Sequence, residues 1–193
     1  MKICCISDTH NLHKQLGELP DADILVHCGD ITMAGSEGEA MNFMNWFFDQ
    51  PHKYKIFVGG NHDFCLYGAK INGLPDNCYY LDGESIKIEG LKFHGIPLFM
   101  EEFMDGTYDK LIDNIPTDTD VLITHQPPTD IFSGDFGNYF LKKKVNQIKP
   151  RYHLFGHAHE QYGKMKIGKT TYINAALVSN HYEMLFKPIL IEL

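Results

Sequence analysis

Seven residues of three chemical types stand where they could act together. Asp8 and His10 close the apolar run at residues 2–7, Asp30 follows residues 23–28 through Gly29, and Asn61 follows residues 54–58 through Gly59 and Gly60. His125 closes residues 121–124, and His157 and His159 follow residues 152–155 through Gly156. Imidazole and carboxylate donors suit first-row divalent metals such as manganese, iron, zinc, cobalt or nickel. Asp8 with His10, and His157 with His159, are spaced i, i+2, which projects both side chains to one side of an extended segment. Seven donors are too many for one tetrahedral ion and suit two metals sharing a bridging carboxylate. The glycines ahead of Asp30, Asn61 and His157 let the backbone turn sharply as it leaves each run.

Such a set can converge only if the runs are strands ending at a common edge. β-Branched or apolar runs of four to eight residues, bounded by Gly, Pro, Asp or Asn, recur at 2–7, 23–28, 54–58, 78–81, 85–88, 92–95, 121–124, 152–155, 170–174 and 185–192. Helical patterns lie between several of them, at 12–19, 37–49, 108–115 and 137–148; within the second, Met41, Met44, Phe47 and Phe48 predict an apolar face. Strand–helix alternation over the first 60 residues predicts parallel βαβ units. The turns Asp82-Gly83 and Glu89-Gly90 predict an antiparallel section from Cys78 to Gly95. The expectation is a mixed α/β protein of two packed sheets, one domain over residues 1–193, with five polar loops at the carboxyl ends of strands where ligands collect.

The motifs Ser7-Asp8-Thr9-His10, Cys28-Gly29-Asp30, Gly60-Asn61-His62-Asp63, Thr124-His125 and Gly156-His157-Ala158-His159 resemble, in order, those of the calcineurin-like metallophosphoesterases. His125-Gln126-Pro127-Pro128 and Tyr172-Ile173-Asn174-Ala175 are similar to the branch called metallophosphoesterase domain-containing proteins. The resemblance implies a two-sheet sandwich flanked by helices. It also implies Asp8, His10 and His159 on one metal, Asn61, His125 and His157 on the other, and Asp30 bridging. His62 is implied to contact substrate with Asn61 and to protonate the leaving oxygen after attack by a hydroxide bridging the ions. Relatives that dephosphorylate phosphoserine and phosphothreonine carry an Asp-Arg pair where Met33 and Ala34 stand here. Loss of that arginine fork argues against a protein phosphatase. The substrate expected is a small, nucleotide-derived phosphodiester, hydrolysed with two ions of manganese; the alternatives are a small-molecule phosphomonoesterase and a nucleotide-binding protein of the same fold with little turnover.

The remaining residues set bounds. A formal charge of −8 disfavours extended nucleic-acid binding, although two divalent ions would make the site itself positive. No apolar stretch approaches 18 residues and no leader pattern opens the chain, so a cytoplasmic location and no membrane span are expected. Cys4, Cys5, Cys28, Cys65 and Cys78 form no CxxC pair and read as structural thiols. Asn11 reads as the cap of a helix starting at Leu12, with phosphate contact as the alternative. Asp63 and Asn174 are candidates for bracing the site. His27, His94 and His153 read as core or sheet-face histidines, and His13, His52 and His181 as exposed. Lys142, Lys143 and Lys144 read as a solvated helix face. Phe99, Phe103 and Tyr108 are expected in the core, or else as a wall against a nucleobase.

Overall fold

The computed structural model describes residues 1–193. Strands β1 (Lys2–Ile6), β2 (Ile24–His27), β3 (Tyr54–Phe57) and β4 (Cys78–Tyr80) open the chain. They are followed by β5 (Glu84–Ile88), β6 (Leu91–Ile96), β7 (Val121–Thr124), β8 (Tyr152–Phe155), β9 (Gly163–Ile167), β10 (Thr170–Asn174) and β11 (Ile189–Glu192). One sheet runs β11-β1-β2-β3-β4 and the other β5-β6-β7-β8-β10-β9. β1 to β4 are mutually parallel, as are β6, β7, β8 and β10, while β11, β5 and β9 are antiparallel edges. The parallel strands of each sheet therefore end along one side.

Both faces of each sheet are covered, which is why the strands read as continuous apolar runs rather than as alternation. Ile3, Cys5, Val26 and Ile56 meet Phe93, Ile123, Leu154 and Ile173 between the sheets. The opposite face of the first sheet, with Cys4, Ile6, Leu25 and Phe57, packs on Phe43, Met44 and Phe47 of α1 (Glu37–Phe48). The opposite face of the second packs Leu122 and Phe155 on α3 (Thr107–Asp113) and α4 (Tyr139–Ile148). Ser36 caps α1 in a capping box with Glu39, satisfying orphan N–H groups at its start. No helix is long and apolar enough to cross a membrane.

Several expectations need correction. The helix predicted at 12–19 is a single 3-10 turn, His13–Leu16, because left-handed Asn11 (φ 63°) and Gly17 (φ 62°) bracket it. The buried face of α1 is Ala40, Phe43, Met44 and Phe47, and Met41 is exposed. β4 does not belong to the antiparallel section: it pairs parallel with β3, and the turn at Asp82-Gly83 crosses between sheets. The strand predicted at 185–192 begins only at Ile189, and β9 was not predicted, because its sequence GKMKI is a largely exposed edge. A short helix α2 (Met100–Asp105), also unpredicted, buries none of its residues. His13 and His52 are buried rather than exposed. His13 packs on Phe43 and Trp46, and His52 Nε2 meets the Pro20 carbonyl at 3.1 Å. The five cysteines are free, and Phe99 and Tyr108 lie in the core while Phe103 does not.

Candidate metal centre

The five loops meet. Asp8, His10, Asp30 and His159 form one cluster of donor atoms, and Asp30, His125 and His157 another, each with its atoms within 4.8 Å of one another. Asn61 Oδ1 joins the second, 3.1 Å from His125 Nε2. Asp30 is common to both. The His62 N–H donates to its Oδ1 at 2.8 Å, while its Oδ2 lies 3.5 Å from His10 Nε2 and 3.4 Å from His125 Nε2. Asp8 accepts the His157 N–H and sits 3.2 Å from His159 Nε2.

Backbone geometry makes this crowding possible at a cost. Asp8 (φ 54°), His10 (φ 41°), Asp30 (φ 57°) and His157 (φ 67°) all hold left-handed conformations that L-residues disfavour by about 1–3 kcal/mol each. A Cβ on Gly60 would lie 2.2 Å from Asp30 Oδ1, and one on Gly156 2.1 Å from Asp8 Oδ2. Those two glycines are needed for close approach of backbone to carboxylate.

The donor set fits a divalent metal. His10 Nδ1 faces the Thr32 carbonyl, His159 Nδ1 the Ser179 carbonyl and His125 Nδ1 the Cys28 carbonyl, which assigns the proton to Nδ1 in each neutral ring. Their Nε2 lone pairs then point at one another (His10 to His159, 3.2 Å) and at the Asn61 oxygen (3.1 Å). Acceptors facing acceptors need a cation between them. Donors sharing one ion at roughly 2.0–2.2 Å lie about 3.0–3.5 Å apart, in agreement with this spacing. Without an ion, protons must serve. Burial disfavours imidazolium at His125, but the charge and hydrogen bond of Asp30 outweigh it and raise the pKa to about 9. His159 is raised as well, against its own burial, by Asp8. His157, buried beside His125, is pushed down to about 4. Despite burial, Asp30 is held down to about 2, chiefly by His125.

Neighbouring groups hold the loops. Asp63 accepts from the N–H groups of Ile31, Thr32 and Gly60 and from the Thr32 hydroxyl, tying the Asp30 loop to the Asn61 loop. Asn174 donates to the Ala158 carbonyl at 2.9 Å, between His157 and His159. His27 and His153, predicted in the core, each meet a threonine hydroxyl beside a donor residue, Thr9 and Thr124, at 2.9 Å. His62 Nδ1 donates to the Met33 carbonyl at 2.9 Å, so backbone supplies a partner at the position where the phosphatases place aspartate. Asn11 does not cap the following turn, and its side-chain oxygen is buried without a partner.

Two residues near the site carried no sequence signal. Tyr182 sets its ring edge-on to His10 at 4.8 Å and near His62 and His159, and Phe136 lies against His157 at 4.9 Å. With Asp30, Asn61, His62, His157, His159 and Asn180 they line a cleft of about 320 Å³. Neither stands in a motif, and both are brought in by loops whose course depends on packing.

Comparison with known proteins agrees with this architecture. The chain is 34% identical to a UPF0046 protein of Caenorhabditis elegans, over 100% of this chain and 81% of that protein. It is 29% identical to Metallophosphoesterase domain-containing protein 1 of Homo sapiens, over 100% of this chain and 71% of that one. A solved crystal structure shares the fold with a TM-score of 0.60 at 16% identity, covering 90% of this chain and 89% of that chain. The family model for calcineurin-like phosphoesterases matches residues 1–161, a span containing all seven donors, and the chain belongs to that family.

Proposed function

We propose that this chain hydrolyses small, nucleotide-derived phosphodiesters with two divalent ions, manganese foremost. Asp8, His10 and His159 would hold one ion, Asn61, His125 and His157 the other, and Asp30 both. Two ions so held would supply a water that ionises near neutral pH and a clamp for the phosphoryl oxygens. The observation that carries this reading is Asp30 Oδ2, at about equal distance from a histidine of each cluster (3.5 and 3.4 Å) while its other oxygen is engaged by backbone.

His62 fits the role of proton donor to the leaving alkoxide. Its Nδ1 is fixed on the Met33 carbonyl, and its ring lines the cleft, so the Nε2 side is free to meet a substrate oxygen. Asn61 can add a neutral donor to the phosphoryl group.

Charge supports a diester over a monoester. A phosphate monoester carries close to two charges near neutral pH, and enzymes for it commonly use an arginine fork. The cleft has no lysine or arginine in its lining. The one arginine, Arg151, precedes β8 at the end opposite His157. The test is kcat/KM of manganese-loaded protein on bis-nitrophenyl phosphate against nitrophenyl phosphate in one buffer. A preference for the diester is expected, and a clear monoester preference contradicts the substrate assignment.

A further inference from the structure

Beside the metal cleft lies a second, less polar cavity of about 270 Å³. Leu98, Met100, Phe103 and Phe136 give it apolar walls, and it reaches His157. Phe136 and His157 line both spaces, so the two adjoin. We propose that this cavity is the subsite for the organic group of the substrate, and that the group is a flat aromatic ring bearing an N–H donor, as an aminopurine does. The inference rests on the phosphoester reading above and names the chemistry that selects among phosphoesters.

Three observations lead there. α2 buries none of its residues, yet it holds Met100 at 42% and Phe103 at 48% exposure beside a polar site. Phe136, at 51% exposure, extends this surface to the donor cluster, its ring 4.9 Å from that of His157. Scattered exposed apolar residues are ordinary, but a concave group leading into a cluster of metal donors has the form of a ligand pocket. The volume is below the roughly 300–1,000 Å³ of sites for drug-sized ligands, which suits one ring system rather than an extended chain. Finally, the exposed carboxylate of Asp135 stands in the lining and can only accept hydrogen bonds when ionised, so it favours a ring with an amino edge over a plain phenyl. The Gln126 side chain adds no selectivity: its amide donates to the Phe136 carbonyl and its oxygen accepts from Asn138.

Calorimetric titration of manganese-loaded protein with adenosine 5′-monophosphate, ribose 5-phosphate and inorganic phosphate tests this without turnover. The nucleotide should bind about ten-fold or more tighter than the sugar phosphate, as base stacking on aromatic side chains allows. Phe103→Ala, at a half-exposed position outside the donor set, should remove most of that difference while leaving inorganic phosphate binding unchanged. Equal binding of nucleotide and sugar phosphate by the unmodified protein would overturn the proposal. So would a preference that survives both Phe103→Ala and Phe136→Ala. Failure of the nucleotide to bind at all would also overturn the subsite, while the phosphoester reading stands or falls separately on turnover of bis-nitrophenyl phosphate.

Discussion

At the carboxyl ends of β1, β2 and β8, five non-glycine residues (Asp8, His10, Asn11, Asp30 and His157) hold left-handed backbone, and two carboxylates are buried among histidines. The amino ends of the same sheets are built differently. There, Lys53 pairs with Glu89 and Lys92 with Asp118 at 2.6 Å, largely in solvent, and the N–H groups of Lys2 and Lys92 are taken by Asp23 and Asp120. Left-handed residues at that end, Glu89 and Lys149, occupy a hairpin turn and a helix C-cap, where they are ordinary. Cavity size does not separate the two ends. A space of about 540 Å³ lined by Asp23, Lys53, Glu89 and Arg151 exceeds the 320 Å³ of the metal cleft. What separates them is strain and buried polarity, which concentrate where chemistry is to be done.

The largest effect should come from the carboxyl end. His62→Asn should keep fold and metals while turnover falls roughly 10²–10⁴-fold, with a smaller loss on nitrophenyl esters, whose leaving group scarcely needs a proton. Loss of metal in that variant would make His62 a ligand and end its assignment as proton donor. Removing the ions should also loosen this end, because metals that bind only the folded chain stabilise it. At 100-fold excess over Kd the effect is about 2.7 kcal/mol per site, or about 5–10 °C in Tm. Chelation followed by manganese addition, monitored by calorimetry, checks it. An unchanged Tm with emptied sites would mean that packing alone holds the loops.

The sequence made one end far more legible than the other. The seven residues that the structure gathers were visible because each follows an apolar run at a strand's carboxyl end, and the backbone direction of parallel strands brings such positions together without any knowledge of packing. The two sheets were legible for the same reason. Residues placed by packing were not: His13 lies under Trp46, a polar residue in a short turn whose burial depends on α1. Tyr182 and Phe136 reach the cleft through loops that carry no periodicity. β9 has alternating lysines that hide an edge strand, and α2 has no buried face from which a pattern could arise.

A smaller effect is expected at His153, whose position was read correctly as core. Burial pushes its pKa from 6.5 to about 3. Below pH 6.5 the unfolded chain takes up a proton there and the folded chain does not. This contribution to stability is thus intact above 6.5 and is lost as pH falls toward 3, at about 1 kcal/mol per pH unit. His153→Gln, which keeps a donor for Thr124 Oγ1, should flatten that slope in urea melts at pH 7 and pH 5. Identical slopes would place the acid sensitivity elsewhere. The smallest effect belongs to the amino end: Lys53→Ala should leave the midpoint of the urea melt essentially unchanged, since its partnership with Glu89 is exposed to solvent. A larger loss in the same melts would contradict the contrast between the two ends.

If Asp30 joins two metal sites, its loss must empty both, and metal content decides this. Elemental analysis of manganese-loaded protein should find two ions per chain in the unmodified protein, about one in His159→Ala, and close to none in Asp30→Asn. An Asp30→Asn variant that keeps two ions with normal turnover would contradict the account.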